Sequence, residues 1–442
     1  MRSRQTRPRL LQAMIDAFRL PDLRRRILIT FGLLVVFRFV AHVPLPGVDP
    51  AALKQLFQSN AMLGMLDMFS GGAMRNFSVA AMGVYPYITA TIIMQLMTPV
   101  IPRLQMLSQE GEAGRNKINR ISHWLTIPLA GIAAYGQITL LRSASPPVIT
   151  TMAALPTLAA VASMIAGTVF LVWLGEQITE YGIGNGISII IFGGIVAGYW
   201  QMVGGGLLAG QQGQLMGLTA YILIALATVA LIVMFTEAHR RIPVQYARTA
   251  FRGGRMYRSA GGTHIPLRVN SAGMIPLIFA MSLMIFPGMI ASYFANPPTM
   301  EPNFANYVQD WFNPNSPMPR ALFYWGFNFI LVVFFAFFYT FTIIQQQDLP
   351  GTLQRQGGFI PGIRPGKNTE NYLNNVITRI TTVGALFLAF VAIIPFLARE
   401  VTDVQVIQLS SMGLLIVVGV VLDTMKQMEA QLVMRRYEGF LK

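Results

Sequence analysis

The chain has no cysteine, and Asp, Glu, Lys and Arg make up only 12% of its 442 residues. Without cysteine there is no disulfide and no Cys-ligated zinc or iron–sulfur cluster. A soluble domain carries about 25% charged residues. Half that share over so long a chain leaves too little polar side chain for a water-facing surface, which argues against a large soluble enzyme. Histidine is scarce too: His42, His123, His239 and His264 show no metal-ligand spacing, and neither a Gly-x-Ser-x-Gly elbow nor an HExxH pair is present. The long apolar stretches also lack ionisable groups at their middles. Arg38, Glu237, Arg379 and Asp423 fall near stretch ends, where snorkelling keeps the charge in water. Ion-coupled transporters and intramembrane enzymes place such groups deep in the membrane, so both competing classes lack their chemistry here.

What is abundant is apolar: 54% of the residues are hydrophobic. They fall into ten segments: Ile27–Val43, Phe77–Val100, Ile121–Leu141, Met152–Leu174, Ile187–Leu208, Leu218–Phe235, Ala272–Phe294, Leu322–Ile344, Ile380–Leu397 and Val406–Met425. Each supplies about 26–36 Å of helix against a hydrocarbon core of about 30 Å. The predicted fold is an all-α polytopic membrane protein. The Arg-rich stretch before Ile27 is too long and polar for a signal-peptide n-region, so the first segment is expected to stay as a span. Topology follows from the basic residues. The even-numbered connections and both termini hold 27 of the 33 Lys and Arg, and the opposite side holds Lys54, Arg75, Arg142, Arg320 and Arg399. That bias places both termini in the cytoplasm, and the net charge of +15 belongs to that face.

Three connections are too elaborate for plain links. Residues 236–268 alternate apolar and polar side chains on either side of Gly253-Gly254, which predicts a β-hairpin carrying Arg248, Arg252, Arg255 and Arg258. Residues 345–379 contain Pro361-Gly362-Ile363-Arg364-Pro365-Gly366, a stiff turn that presents Arg364. Between the first two spans, the run from Ala61 to Phe69, ending at Ser70-Gly71-Gly72, is too short to span and too apolar to sit free in water. Re-entrant backbone of that kind needs a protein-lined or wet cavity. Gly182-Ile183-Gly184-Asn185-Gly186 resembles a phosphate loop but opens a span rather than a βαβ unit, so it reads as a helix start with close packing. Gly194 and Gly198 form a small-xxx-small pair that reads as helix packing. The second segment carries Pro86, Tyr87, Thr89, Thr91 and Gln95, and the seventh carries Pro276 and Pro287 with Asn270 at its entrance. Such mild polarity suits helix interfaces.

From Gly175-Glu176-Gln177-Ile178-Thr179-Glu180-Tyr181 through the glycine run to Phe192, the sequence resembles the SecY family of protein-translocation channels. Pro44-Leu45-Pro46-Gly47, Met68-Phe69-Ser70-Gly71-Gly72, Pro86-Tyr87-Ile88, Gly273-Met274-Ile275-Pro276 and the Pro361–Gly366 turn agree in order. The resemblance implies ten helices in two inverted halves around an hourglass pore. The halves are 27–205 and 213–427, with a basic arm at 1–26 and a tail at 428–442. It implies a pore ring of Val84, Ile88, Ile187, Ile191, Ile278 and Ile416, and a plug over about 61–72 that includes Met62, Leu63, Met65, Leu66, Met68 and Phe69. A lateral gate lies between the second and seventh helices, with Gln95 and Asn270 as polar contacts. Arg248, Arg252, Arg255, Arg258 and Arg364 become docking posts for a motor ATPase or a ribosome. The implied partners are the small membrane subunits SecE and SecG, the motor SecA, the ribosome, signal sequences and nascent chains, and membrane lipid. The implied location is the bacterial plasma (inner) membrane, with no cofactor and no catalytic residue, since hydrolysis belongs to the motor. Two departures stand out. Gln345-Gln346-Gln347-Asp348 replaces a more charged stretch, and Val84 is one methylene smaller than the usual isoleucine.

Overall fold

The computed structural model describes residues 20–59, 67, 70–143, 148–149, 154–211, 215–252, 255–296, 301–313, 316–347, 349–402 and 411–438. Each of the ten apolar segments falls on a helix. In chain order these are α1 (Pro21–Val40), α3 (Tyr85–Met97), α5 (Glu112–Ser143), α6 (Ala154–Tyr181), α7 (Gly186–Gln211), α8 (Leu215–Glu237), α9 (Ile275–Phe294), α11 (Arg320–Gln347), α13 (Lys367–Thr402) and α14 (Ser411–Glu438). Four short helices lie between them: α2 (Pro50–Ser59), α4 (Pro102–Gln109), α10 (Phe304–Trp311) and α12 (Leu349–Arg355). Among the described residues, Glu112–Arg142, Ala154–Tyr181, Arg320–Arg355 and Lys367–Ile394 are long and apolar enough to cross a membrane. Phe31, Phe39, Leu158, Ile330 and Phe390 are exposed on the spans, as a lipid solvent allows and water does not.

The helices pack as two copies of one pattern. In the first half α1 lies against α6 and α7, α3 against α5, α5 against α6, and α6 against α7. Five helices later, α8 lies against α13 and α14, α9 against α11, α11 against α13, and α13 against α14. Because five is odd, the second copy starts from the opposite side of the bilayer and is inverted relative to the first. The halves meet along two seams. On one, α3 and α5 touch α9; on the other, α7 touches α8 and α14.

The second segment departs from expectation. Phe77–Val100 is helical only over Tyr85–Met97, a length of about 20 Å that falls short of the hydrocarbon core. Residues 77–84 are turns save for an isolated bridge from Ser78 to Pro44, and Phe77, Ser78, Ala80 and Val84 are fully buried. Their backbone is satisfied by the segment after α1: Leu45 N–H donates to Phe77 O at 3.0 Å and Val79 N–H to Val43 O at 3.0 Å. Irregular backbone survives at membrane depth only when protein surrounds it in this way, and Pro86 in the first turn sets where α3 begins. The tenth helix also runs past its predicted end, to Glu438.

The predicted hairpin is present as β1 (His239–Arg252) and β2 (Arg255–Arg268), antiparallel, with Arg252 opposite Arg255. A third strand, β3 (Gly358–Phe359), adds to β1 and pairs Gln245 with Phe359. It joins both elaborate connections into one platform. Beneath it, Ile242, Val244, Leu353, Ile360, Leu373, Val376 and Ile377 form a small core separate from the main apolar body. At the start of α7, Asn185 Oδ1 accepts from Ser188 N–H at 3.2 Å, and Thr179 Oγ1 accepts from Gly186 N–H at 2.9 Å. The glycine run thus closes a helix N-terminus with protein groups, and a Cβ on Gly186 would lie 1.8 Å from Gly175 O.

Candidate functional site

Four helices from both halves carry the candidate ring. Val84 caps α3 and Ile88 lies one turn on; Ile187 and Ile191 are on α7, Ile278 on α9 and Ile416 on α14. All but Ile187 are buried, and Ile187 packs on the same continuous apolar body as the other five. Its side-chain tip is turned toward its own half: a Cβ on Gly175 of α6 would meet Ile187 Cδ1 at 2.5 Å.

The six candidate plug residues, Met62, Leu63, Met65, Leu66, Met68 and Phe69, lie outside the described residues. Their immediate neighbours are held firmly. Asp67 is buried, and its carboxylate takes the Arg75 side chain at Nε–Oδ2 2.5 Å and the Arg75 N–H at 3.2 Å. Burial pushes the Asp67 carboxyl above its ordinary value, and Arg75 pulls it back. From α1, Arg38 Nη1 donates to Gly71 O at 2.8 Å. Gly71 and Gly72 hold φ of 68° and 83°, a region that favours glycine. Gly71 also sits directly on α7, where a Cβ on Gly194 would lie 2.0 Å from Gly71 Cα. This corrects the helix-packing reading of the Gly194 and Gly198 pair. Gly194 receives the turn at Gly71, after the candidate plug, and Gly198 has nothing within 4 Å of where its Cβ would be. The sequence signal was available in part, since Arg38, Asp67 and Arg75 are the charges nearest an apolar run, but their pairing was not.

At the seam between α3 and α9, Tyr85 Oη donates to Ser282 O at 3.4 Å within the buried interior, a link that sequence reading did not find. Gln95, further along α3, has a buried Oε1 with no hydrogen-bond partner among the described residues. Asn270 lines a cavity of about 550 Å³ together with Asn185, Ser188, Arg268, Asp423 and Lys426; Gln95 is not among the lining residues. Across that cavity's rim, Lys426 Nζ meets Glu237 Oε1 at 2.7 Å, tying α14 to α8.

Of the candidate docking arginines, Arg248 and Arg252 lie on β1, and Arg255 and Arg258 on β2, with Thr249 opposite Arg258 in the ladder. Arg364 is exposed. Its turn is fixed by Gly362 at φ 83° and Gly366 at φ 101°, by Ile363 N–H donating to Ile360 O at 3.0 Å, and by Thr369 Oγ1 donating to Arg364 O at 3.0 Å. The β3 pairing, Gln245 with Phe359 and Tyr246 with Gly358, brings this turn beside the middle of β1.

The SecY family model matches residues 78–425. The chain belongs to the SecY family. A SecY protein translocase subunit from Halalkalibacterium halodurans is 42% identical over 98% of this chain and 100% of its own length. One from Thermotoga maritima is 40% identical over 98% of each, and one from Vibrio cholerae is 39% identical over 96% of this chain and 95% of its own. Among solved structures, a protein-conducting channel superposes with a TM-score of 0.64 at 17% identity, covering 95% of this chain and 97% of that one. Sec61 in the canine ribosome–channel complex gives a TM-score of 0.64 at 16% identity with the same coverage. These likenesses agree with the all-α, multi-pass architecture of two repeated halves. SecY family members are channel subunits rather than enzymes.

Proposed function

We propose that this chain is the conducting subunit of a protein translocase, passing unfolded secretory polypeptides across the bacterial plasma membrane and releasing transmembrane segments sideways into lipid. The observation that carries the reading is the arrangement of two inverted five-helix bodies that touch along two seams, with uncharged branched aliphatics contributed by helices of both. Val84, Ile88, Ile187, Ile191, Ile278 and Ile416 form the constriction. A collar of this kind dewets when empty and so opposes ion flow. It offers a sliding chain no hydrogen bonds to linger on. The segment 61–72 closes the resting pore, held through Asp67, Arg75, Arg38 and the Gly71–Gly194 contact.

The seam of α3 and α9 is the lateral exit, with Gln95 on α3 and Asn270 ahead of α9 as the polar contacts that would meet as it moves. An apolar segment leaves through it because burial in lipid is worth about 25 cal/mol per Å². Both termini and the β1–β2–β3 platform face the cytoplasm, supported by the siting of 27 of the 33 Lys and Arg. There Arg248, Arg252, Arg255, Arg258 and Arg364 receive the SecA motor or the ribosome, the latter supported by the ribosome–channel complex of the canine relative. Basic side chains suit phosphate-rich RNA and acidic protein surfaces alike. SecE and SecG complete the membrane complex, and ATP hydrolysis belongs to the motor.

Reconstitution into vesicles with a motor ATPase, ATP and a secretory precursor tests the reading, with translocated precursor as the signal. In the same vesicles, Ile191→Ser or Ile278→Ser should raise resting ion conductance about tenfold. Losing a buried aliphatic side chain removes about 1.5–3 kcal/mol of preference for the dry state. Unchanged conductance in both variants refutes the ring.

A further inference from the structure

Helix α10 carries its three aromatic side chains on the outside and buries Ala305. Phe304, Tyr307 and Trp311 are spaced i, i+3, i+7, hence on one face, and are 82%, 48% and 41% exposed. The rest of the helix is fastened to its neighbours. Asn303 and Asn306 form a reciprocal cap at its start. Asn303 Nδ2 donates to Phe294 O at 2.6 Å, and Asn306 Nδ2 donates to Asn296 O at 3.0 Å. At the other end Arg320 Nη1 donates to Asp310 Oδ2 at 2.6 Å. Phe294 is the last residue of α9 and Arg320 the first of α11. The helix is therefore tied to the two points where consecutive spans leave and return to the bilayer, on the side away from the hairpin.

We propose that α10 is an interfacial helix, seated on the leaflet away from the hairpin with Phe304, Tyr307 and Trp311 at the boundary between headgroups and acyl chains. The occupant of its exposed face is lipid, by continuity with the lipid-facing surface of α11. The Trp311 ring stands edge-on to Phe323 at 4.9 Å, Phe323 stacks on Phe327 at 5.8 Å, and Leu322, Phe323, Ile330 and Phe334 continue the exposed apolar strip along the span. Trp and Tyr favour this depth because one part of each ring is apolar and another is polar. The helix contains no Lys or Arg, so its attachment rests on apolar burial rather than on anionic headgroups. As α9 forms one side of the seam with α3, the anchor holds the far end of α9 at a set depth while the seam moves. This inference rests on the membrane-spanning fold and not on the ring, plug or docking assignments.

The chain has five tryptophans, which makes a fluorescence test direct. The full-length protein, with Trp124, Trp173, Trp200 and Trp325 replaced by Phe, is placed in phosphatidylcholine vesicles whose acyl chains are brominated either near the headgroup or near the terminal methyl. The expected result is blue-shifted Trp311 emission that loses most of its intensity to the shallow bromines and little to aqueous iodide. Should the four-fold variant fail to insert, the difference spectrum between the unaltered protein and Trp311→Phe gives the same reading. Strong iodide quenching without bromine quenching places the helix in water and overturns the proposal. Protection from both quenchers means that protein covers the face, and strongest quenching by the deep bromines means that the helix is submerged; either also overturns it.

Discussion

A Cβ added to Gly194 would stand 2.0 Å from Gly71 Cα, whereas one added to Gly198 would meet nothing within 4 Å. Two glycines four residues apart on one helix thus have unequal duties. Gly71 cannot step aside cheaply, since its φ of 68° and its carbonyl bond to Arg38 fix the turn. Gly194→Ala should therefore unseat the turn after the proposed plug and raise the resting ion conductance of reconstituted channels, while Gly198→Ala should leave it unchanged. Equal conductance in the two variants would remove the seat. The pairing of Asp67 with Arg75 belongs to the same turn. Asp67 is the one buried carboxylate or basic group among the described residues, and the pairing escaped sequence reading because a lone acid in an apolar run does not announce its partner.

At the scale of elements, the seam of α3 and α9 is crossed by the long hydrogen bond from Tyr85 Oη to Ser282 O at 3.4 Å. Tyr85→Phe should cost the closed seam about 0.5 kcal/mol, the low end for a long hydrogen bond, which corresponds to about twofold in an equilibrium. Translocation of a precursor with a weakly apolar signal sequence should rise by about that factor, with a strongly apolar one unaffected. A rise of the same size for both precursors would mean that the seam is not what opens. The helices themselves were legible: blocks of apolar residues long enough to span announce their own ends through Pro, Gly and charge. The hairpin was legible as well, because alternation about Gly253-Gly254 is a local signal. The shortness of α3 was not. Residues 77–84 are as apolar as a helix, and they are turns only because Val43 and Leu45 take up their backbone groups.

Over the whole molecule, the β3 pairing places the Arg364 turn beside the hairpin and sets both on the core of Ile242, Val244 and Leu373. In the proposed docking role, an exposed arginine on a stiff turn would bind at little ordering cost. Arg364→Glu should slow motor-driven or ribosome-driven translocation about tenfold or more, as loss of a strong interface side chain costs upward of about 1 kcal/mol and reversal adds repulsion. The variant should insert and resist detergent unfolding like the unaltered protein, because the side chain carries none of the turn's bonds. Normal translocation rates in that variant would end the docking role.

The amino-acid sequence by itself determined the solvent, the number of apolar segments and the side that holds the positive charge. Hydrophobic length and Lys/Arg placement act segment by segment, without reference to where the rest of the chain lies. The tertiary structure alone decided that Gly194 receives Gly71, that Tyr85 reaches Ser282, that two distant loops share one sheet, and that the packing of α1 to α7 recurs in α8 to α14. Each of these is a contact between residues far apart in the chain. Apolar periodicity is alike on a helix face that meets lipid, another helix or a turn, so the partner is settled only when the halves close on each other.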